Sequence, residues 1–199
     1  MAGIFDRLFK RTKEPVKTER AELLSSSTAV FTPFSGNAYE SDIYRAAVDA
    51  IARNAAKLKG THVITMGPKR GTGDSYLNRI LQVRPNPYMT AYDLLYKLVT
   101  HYYLYNNAFA YLQKDEKGYL VAIWPLRPQS MEYATDPTGQ LYCSFVLAGG
   151  RTVILPYSEV FTVRRFFNGN DLLGDPNTAI IPTLDLAHTQ SQGMENAIK

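Results

Sequence analysis

Asn106-Asn107-Ala108-Phe109-Ala110-Tyr111 divides this chain into two halves with different hydrophobic periods. Before it, apolar residues recur every three to four positions, the spacing of a helix face. After it they alternate, the spacing of a half-buried strand. Immediately upstream, Leu94, Leu98, Tyr102 and Tyr105 fall on one helical face, with Ala91 and Leu95 beside them. Thr90 predicts the N-cap of that helix, and Asp93 at N3 makes a partial capping box, with Asp in place of the usual Glu. Asn106 or Asn107 ends the helix in the left-handed conformation that asparagine tolerates.

Arg84-Pro85-Asn86-Pro87 precedes this helix and cannot itself be helical, because each proline lacks an N–H and pushes the residue before it toward extended geometry. Earlier still, a helix is predicted from Ser41 to Leu58. Ser41 is its N-cap, Asp42 suits the positive end of its dipole, and Gly60 is its C′ residue. Ile43, Ala47, Ile51, Ala55 and Leu58 form the expected inward stripe. Thr61 to Met66 reads as a strand, Gly67 to Asp74 as a flexible connection, and Leu77, Ile80 and Leu81 as the inner face of a short helix. Arg70-Gly71-Thr72-Gly73-Asp74 is not a phosphate loop: its cations precede the glycines, and Asp74 would repel a phosphate.

Downstream, strands are expected at 108–113, 119–125, 129–134, 141–147, 152–155 and 159–165. Asp115-Glu116-Lys117-Gly118, Asp136-Pro137-Thr138-Gly139 and Ala148-Gly149-Gly150-Arg151 have hairpin chemistry. The fold class is therefore α+β, an antiparallel meander of short strands packed with two or three helices. A last helix is expected to start at the N-cap Asp175, with Pro176 at N1. Its stripe Ile180, Leu184, His188 and Gln192 turns polar along its length. Pro182 is expected to bend it or reset its start. The helix is still running at Lys199. Three regions follow: a flexible basic arm over 1–40, a body over 41–165, and a loop with the start of a long helix over 166–199.

The charge is unevenly spread. The 199 residues carry 22 basic and 18 acidic groups, and residues 1–20 hold six of the basic and three of the acidic ones. The rest is almost neutral, with no sequence-local basic face of the kind that grips phosphates. Arg164-Arg165 is the best local basic pair; it reads either as a DNA-facing pair or as a solvated or ion-paired strand end. The single cysteine, Cys143, excludes an intrachain disulfide and fits a reducing compartment. No apolar run approaches the ~18 residues of a membrane span. Asp6, Arg7 and Lys10 interrupt any signal-peptide core.

Catalytic patterns are absent. His62, His101 and His188 lie on separate elements without metal-ligand spacing, and neither a Gly-x-Ser-x-Gly elbow nor an HExxH helix occurs. No catalytic residue, cofactor or metal ligand is assigned. Tyr102, Tyr103 and Tyr105 read as core or interface rings, with base stacking as the alternative.

The order of these segments resembles the portal proteins of tailed bacteriophages, of the long-tailed siphophage type. Met1-Ala-Gly-Ile-Phe-Asp-Arg-Leu-Phe9 is similar to the family's opening. Ala46, Ala47, Val48, Ile51 and Ala52 resemble its small-residue helix. Leu81 to Thr90 is close to its Pro-Asn-Pro, aromatic, Met-Thr segment. Asn107-Ala108-Phe109-Ala110 is similar to its Gly-Asn-Ala-Tyr junction, and Ile123-Trp124-Pro125-Leu126-Arg127-Pro128 to its Pro-Leu-x-Pro segment. Asn106 stands where the family has Gly, Phe161 where many members have His, and Asp175-Pro176 where Ser-Pro is usual.

The resemblance implies the N-terminal half of a non-enzymatic ring, generally dodecameric, at one capsid vertex, where it is the head–tail connector for DNA packaging and ejection. The wing would span 41–165, and the stem helix would begin near 175; the clip lies later in the chain. Implied partners are other copies of the chain, double-stranded DNA in the channel, the terminase large subunit, the major capsid or scaffold protein and a head–tail adaptor. Arg164, Arg165 and Lys199 would face nucleic acid. Phe5, Leu8, Phe9, Ile180 and Leu184 would face neighbouring subunits. The implied location is the virion, and the host cytoplasm during assembly. Two other readings compete: a peripheral membrane module using Phe5, Leu8, Phe9 and the basic tail, and a hydrolase assembled from Glu159, His101 or Asp175.

Overall fold

A computed structural model describes residues 38–198 apart from Asp74. The expected arm and the named residues Phe5, Leu8, Phe9 and Lys199 therefore lie outside the described residues. The described chain is α+β, with four α-helices and eight strands. The helices are α1 (Asp42–Ala55), α2 (Ser75–Gln82), α3 (Ala91–Tyr105) and α4 (Ile181–Ile198). The strands are β1 (Val63–Met66), β2 (Lys69–Thr72), β3 (Asn107–Lys114), β4 (Leu120–Leu126), β5 (Ser130–Thr135), β6 (Leu141–Val146), β7 (Thr152–Pro156) and β8 (Val160–Arg164).

All pairing is antiparallel, but the six downstream strands do not form one continuous meander. They split into two three-stranded sheets, ordered β4-β3-β8 and β5-β6-β7. Strand β8 returns to β3, placing Asn107 opposite Arg164 and Tyr111 opposite Val160. The 3-10 turn Tyr157–Glu159 lets the chain change sheets between β7 and β8.

The first sheet is buried on both faces, and β3 is its centre. Ala108 and Ala110 point toward the helices and join Ile80, Leu94, Leu98 and Ile123 in one apolar cluster. Their small side chains let α3 approach closely. Phe109 points the other way, into a cluster with Met131, Cys143, Phe145, Leu155 and Leu173 between the two sheets. Phe109 and Phe145 meet edge-on at 5.4 Å between ring centroids, a favoured aromatic geometry. The order of layers is helices, sheet, sheet, with β3 reading as a continuous apolar run where it is covered on both sides.

Local signals hold well around α3. Thr90 Oγ1 accepts from the Asp93 N–H at 3.2 Å, and Asp93 Oδ2 accepts from the Thr90 N–H at 2.9 Å, so the capping box is complete. The Thr90 hydroxyl also donates to Asp93 Oδ2 at 2.7 Å, and this bond first, with the Thr90 N–H bond second, holds the Asp93 carboxyl below the usual carboxylate range. Asn106 ends the helix with φ of 56°. Pro85-Asn86-Pro87 covers the outer edge of β4: Ile123 N–H donates to the Pro85 carbonyl, and Asn86 Nδ2 donates to the Ile123 carbonyl, both at 2.8 Å.

Four expectations are corrected. Helix α1 has the N-cap Ser41 as expected, but the stripe Ile43, Ile51 and Leu58 is exposed, and Val48, Ala52 and Ala56 are buried instead. The reason is its packing on α3. Tyr44 donates to the Tyr103 carbonyl at 2.6 Å and Tyr96 donates to Asp49 at 2.7 Å, so small residues must face the tyrosines. Gly60 is not the C′ residue; α1 ends at Ala55, with Ala56 as its C-cap in right-handed geometry. Within the expected connection, Lys69–Thr72 is a strand that pairs with Val63–Met66 around a turn with Gly67 at φ of 58°. Asp175 is not an N-cap. Asn177–Ile180 forms a 3-10 turn, and α4 begins at Ile181 with Pro182 in its first turn, where a missing N–H costs nothing.

Candidate functional site

The last helix leaves the body at a junction built from two neighbouring asparagines and the segment Arg164–Asn177. Asn106 and Asn107 sit there because α3 must end and β3 must begin within two residues. The left-handed turn at Asn106 reverses the chain and turns both side chains away from solvent; they are 1% and 3% exposed.

Each asparagine holds the returning segment. Asn107 Nδ2 donates to the Gly174 carbonyl at 3.0 Å, and the Gly174 N–H donates to Asn107 Oδ1 at 2.8 Å. Asn106 Nδ2 donates to the Asp175 carbonyl at 2.8 Å, and the Asn106 carbonyl accepts from the Arg165 N–H at 2.9 Å. Asn106 Oδ1 is buried without a donor among the described residues. Gly174 is required by space: a Cβ there would collide with the carbonyl oxygens of Arg165 and Asn106. Leu173 plugs the core beside it.

Asn177 anchors the 3-10 turn that leads into α4. Its Nδ2 lies 3.0 Å from the Tyr103 carbonyl, 3.2 Å from the Leu104 carbonyl and 3.2 Å from the Tyr44 hydroxyl. The last carbonyls of α3, otherwise without intrahelical donors, are thus partly satisfied by the root of α4. Burial holds the Tyr44 hydroxyl above its ordinary range, opposed by the Asn177 bond and the nearby Arg165 charge.

The two arginines of the sequence reading are at this junction. Arg164 Nη1 donates to the Leu172 carbonyl at 2.8 Å, and its guanidinium lies 4.0 Å from the Phe167 ring centroid. Arg165 lies 4.2 Å from the Phe166 ring and 4.7 Å from the Tyr103 ring, the geometry of cation–π attraction. Both side chains are half-buried. Ile180 and Leu184 are half-buried near the start of α4, while Leu186 and Met194 further along are exposed. Sequence reasoning found the arginines and the helix end, but it missed Asn107, Gly174 and Asn177 as one unit.

The three residues of the hydrolase reading lie in different surroundings. Glu159 lines a groove of about 960 Å³ along β7. His101 lines a separate cleft of about 410 Å³, and burial lowers its pKa to about 4, assisted by Lys97 and Arg127. Asp175 accepts from the Gly169 N–H at 2.9 Å. Among the described residues no cluster of His, Cys, Asp and Glu has metal-binding geometry, and no helix is long and apolar enough to cross a membrane.

A helical layer and two small antiparallel sheets form one body, from which the last helix departs through a hydrogen-bonded root. Residues 42–199 match the family described as phage portal protein, and the chain belongs to that family. No curated protein matches its sequence. Among solved structures, the chain is similar to one in the neck of an empty GTA particle computed with C6 symmetry. That match has a TM-score of 0.67 and 17% identity, covering 91% of this chain and 49% of the other. A chain of the virion of the native gene transfer agent particle matches with a TM-score of 0.60 and 18% identity, covering 90% of this chain and 47% of the other. A chain in the native particle's neck computed with C12 symmetry matches at 0.60 and 17%, covering 83% and 42%. The chain therefore spans about half the length of the chains it matches.

Proposed function

We propose that this chain is the N-terminal half of a ring-forming connector at one capsid vertex, through which double-stranded DNA enters and leaves. The carrying observation is the family match over residues 42–199, seconded by a fold shared with chains of particle necks. In this reading residues 41–165 are the wing, and α4 begins the stem beside the channel. The junction at Asn106, Asn107, Gly174 and Asn177 fixes the direction in which the stem leaves the wing. A ring of about twelve copies needs that angle identical in every copy, since closed symmetry repeats one contact without accumulated error.

The near-neutral body suits a conduit, because tight phosphate contacts would hold the duplex in place. Arg164, Arg165 and Lys199 are assigned to the nucleic-acid side, and Phe5, Leu8, Phe9, Ile180 and Leu184 to neighbouring subunits. The chain itself is assigned no catalysis. ATP hydrolysis belongs to the terminase large subunit; the major capsid or scaffold protein and a head–tail adaptor complete the partners. The site of action is the virion, reached by assembly in the host cytoplasm.

Negative-stain electron microscopy of the intact protein tests this reading. Rings with a central hole wide enough for duplex DNA are expected. Monomers or small closed oligomers without a hole, at concentrations where such rings assemble, would overturn it.

A further inference from the structure

The loop between β8 and the root of α4 holds Asn168-Gly169, the one Asn-Gly step in the chain. Both residues are exposed. The neighbouring asparagines are committed elsewhere. Asn170 Oδ1 accepts from the Leu172 and Leu173 N–H groups at 2.8 Å and 2.9 Å, and Asn106 and Asn107 are buried in the junction. Asn168 is thus the asparagine of this region that combines contact with water and a glycine after it.

An asparagine before glycine is chemically labile, because no β-carbon on the next residue shields that residue's backbone nitrogen. The Gly169 nitrogen loses its proton to water or hydroxide and attacks Asn168 Cγ. A bond from this nitrogen to Cγ forms, the Cγ–Nδ2 bond breaks, and Nδ2 leaves as ammonia with a proton from solvent. The resulting five-membered imide holds the Gly169 nitrogen between Cγ and the main-chain carbonyl carbon of residue 168. Water then opens the ring on either side. Opening at Cγ gives aspartate. Opening at the main-chain carbonyl gives isoaspartate, whose backbone runs through Cβ and Cγ. Water is the co-reactant, and nothing is oxidised or reduced.

The folded chain engages the nucleophile itself. The Gly169 N–H donates to Asp175 Oδ1 at 2.9 Å. Asp175 is held at both of its main-chain groups: its N–H donates to the Phe166 carbonyl at 2.9 Å, and its carbonyl accepts from Asn106 Nδ2 at 2.8 Å. A Cβ at position 169 would lie 2.7 Å from Asp175 Oδ1, so a larger residue there would push the carboxylate off this bond. The bond opposes the attack in two ways. A negative charge beside the nitrogen disfavours a second one forming on it. The bond also pins the peptide plane, whereas the nitrogen must turn its face toward Cγ to react.

We propose that Asn168 is a site of spontaneous conversion to aspartate and isoaspartate, and that the Asp175 carboxylate restrains this conversion while the loop is folded. The consequence falls on the junction. Either product sets a second carboxylate next to the Gly169–Asp175 bond, where like charges repel, and isoaspartate lengthens the loop backbone by one carbon. Both changes loosen the segment that carries the chain from β8 to α4.

The test incubates the intact protein in warm neutral buffer and maps its peptides by mass spectrometry, with isoaspartyl methyltransferase counting the isoaspartate. Conversion at Asn168 is expected to be slower in the folded chain than in the same chain unfolded in denaturant. Asp175→Ala is expected to speed it about threefold or more in the folded chain, the fold-change of one net hydrogen bond. Asp175→Asn, which keeps an acceptor oxygen without the charge, is expected to fall between. Equal rates in folded and unfolded protein, an unfolded chain that never converts at Asn168, or an unchanged rate in folded Asp175→Ala each overturn the proposal. Should Asp175→Ala not fold, hydrogen exchange at the Gly169 amide of the unsubstituted protein decides. Protection relative to an unstructured glycine supports the restraint, and free exchange overturns it.

Discussion

Asn107 and Gly174 exchange two hydrogen bonds across 67 residues of sequence, one from side-chain amide to backbone carbonyl and one from backbone N–H to side-chain oxygen. The pair is buried, so neither partner has water as an alternative. The last helix is therefore rooted in the start of the central strand rather than tethered by a loose loop.

Asn107→Ala removes both bonds and strands the Gly174 groups. It is expected to destabilise the chain by about 2–4 kcal/mol, since each unsatisfied buried group costs about 1–3 kcal/mol. Gly174→Ala forces a methyl group against two carbonyl oxygens and is expected to cost about 1–3 kcal/mol or more. Denaturant melts of each variant measure this. A change below 0.5 kcal/mol, the ordinary scatter of neutral surface substitutions, would show that the junction does not hold the fold.

Asn86 is 3% exposed and bonded through Nδ2 to the Ile123 carbonyl, while its Oδ1 accepts from the Tyr88 N–H at 3.0 Å. Asn86→Ala is expected to cost about 1–3 kcal/mol and to loosen the edge of β4. Hydrogen exchange at the Ile123 amide, which donates to Pro85, reads the second effect directly. Unaltered protection there would sink the idea that Pro85-Asn86-Pro87 secures the strand.

His101 gives the fold a pH dependence of known sign. Burial depresses its pKa from 6.5 to about 4, so the unfolded chain binds a proton before the folded one does. Stability is then lost as pH falls from about 6.5 toward 4, and the loss levels off below that window. Its size is on the order of 3 kcal/mol, from ~1.4 kcal/mol per pH unit of displacement. His101→Gln is expected to flatten the slope of stability against pH in this window. Identical profiles for both proteins would rule out His101 as the source.

Cys143 lies fully buried in the cluster between the sheets, and burial pushes its thiol pKa up to about 12. A thiol reagent is expected to leave the native protein unlabelled at neutral pH and to react stoichiometrically after unfolding, because the thiolate is the nucleophile. Fast labelling of the folded chain would contradict the packing of β6 against β3.

The amino-acid sequence by itself determined whatever depends on neighbours within about one turn of chain. The capping box at Thr90 and Asp93, the left-handed end at Asn106, the change of period at Ala108 and the resetting of the last helix by Pro182 are all local steric and hydrogen-bonding facts. Tertiary structure decided what depends on partners far apart in the chain. Helix α1 offers apolar residues around most of its circumference, so its sequence admitted two inward faces; the tyrosines of α3 selected the one with Val48 and Ala52. Strand spacing could not say that β8 returns to β3, because pairing is fixed by long-range burial rather than by local period. The segment after Met66 lacked the apolar alternation that marks a strand and became one only through its pairing with β1. Asn107 and Gly174 carry no local signal of their bond, since a contact spanning 67 residues exists only once the sheets have closed.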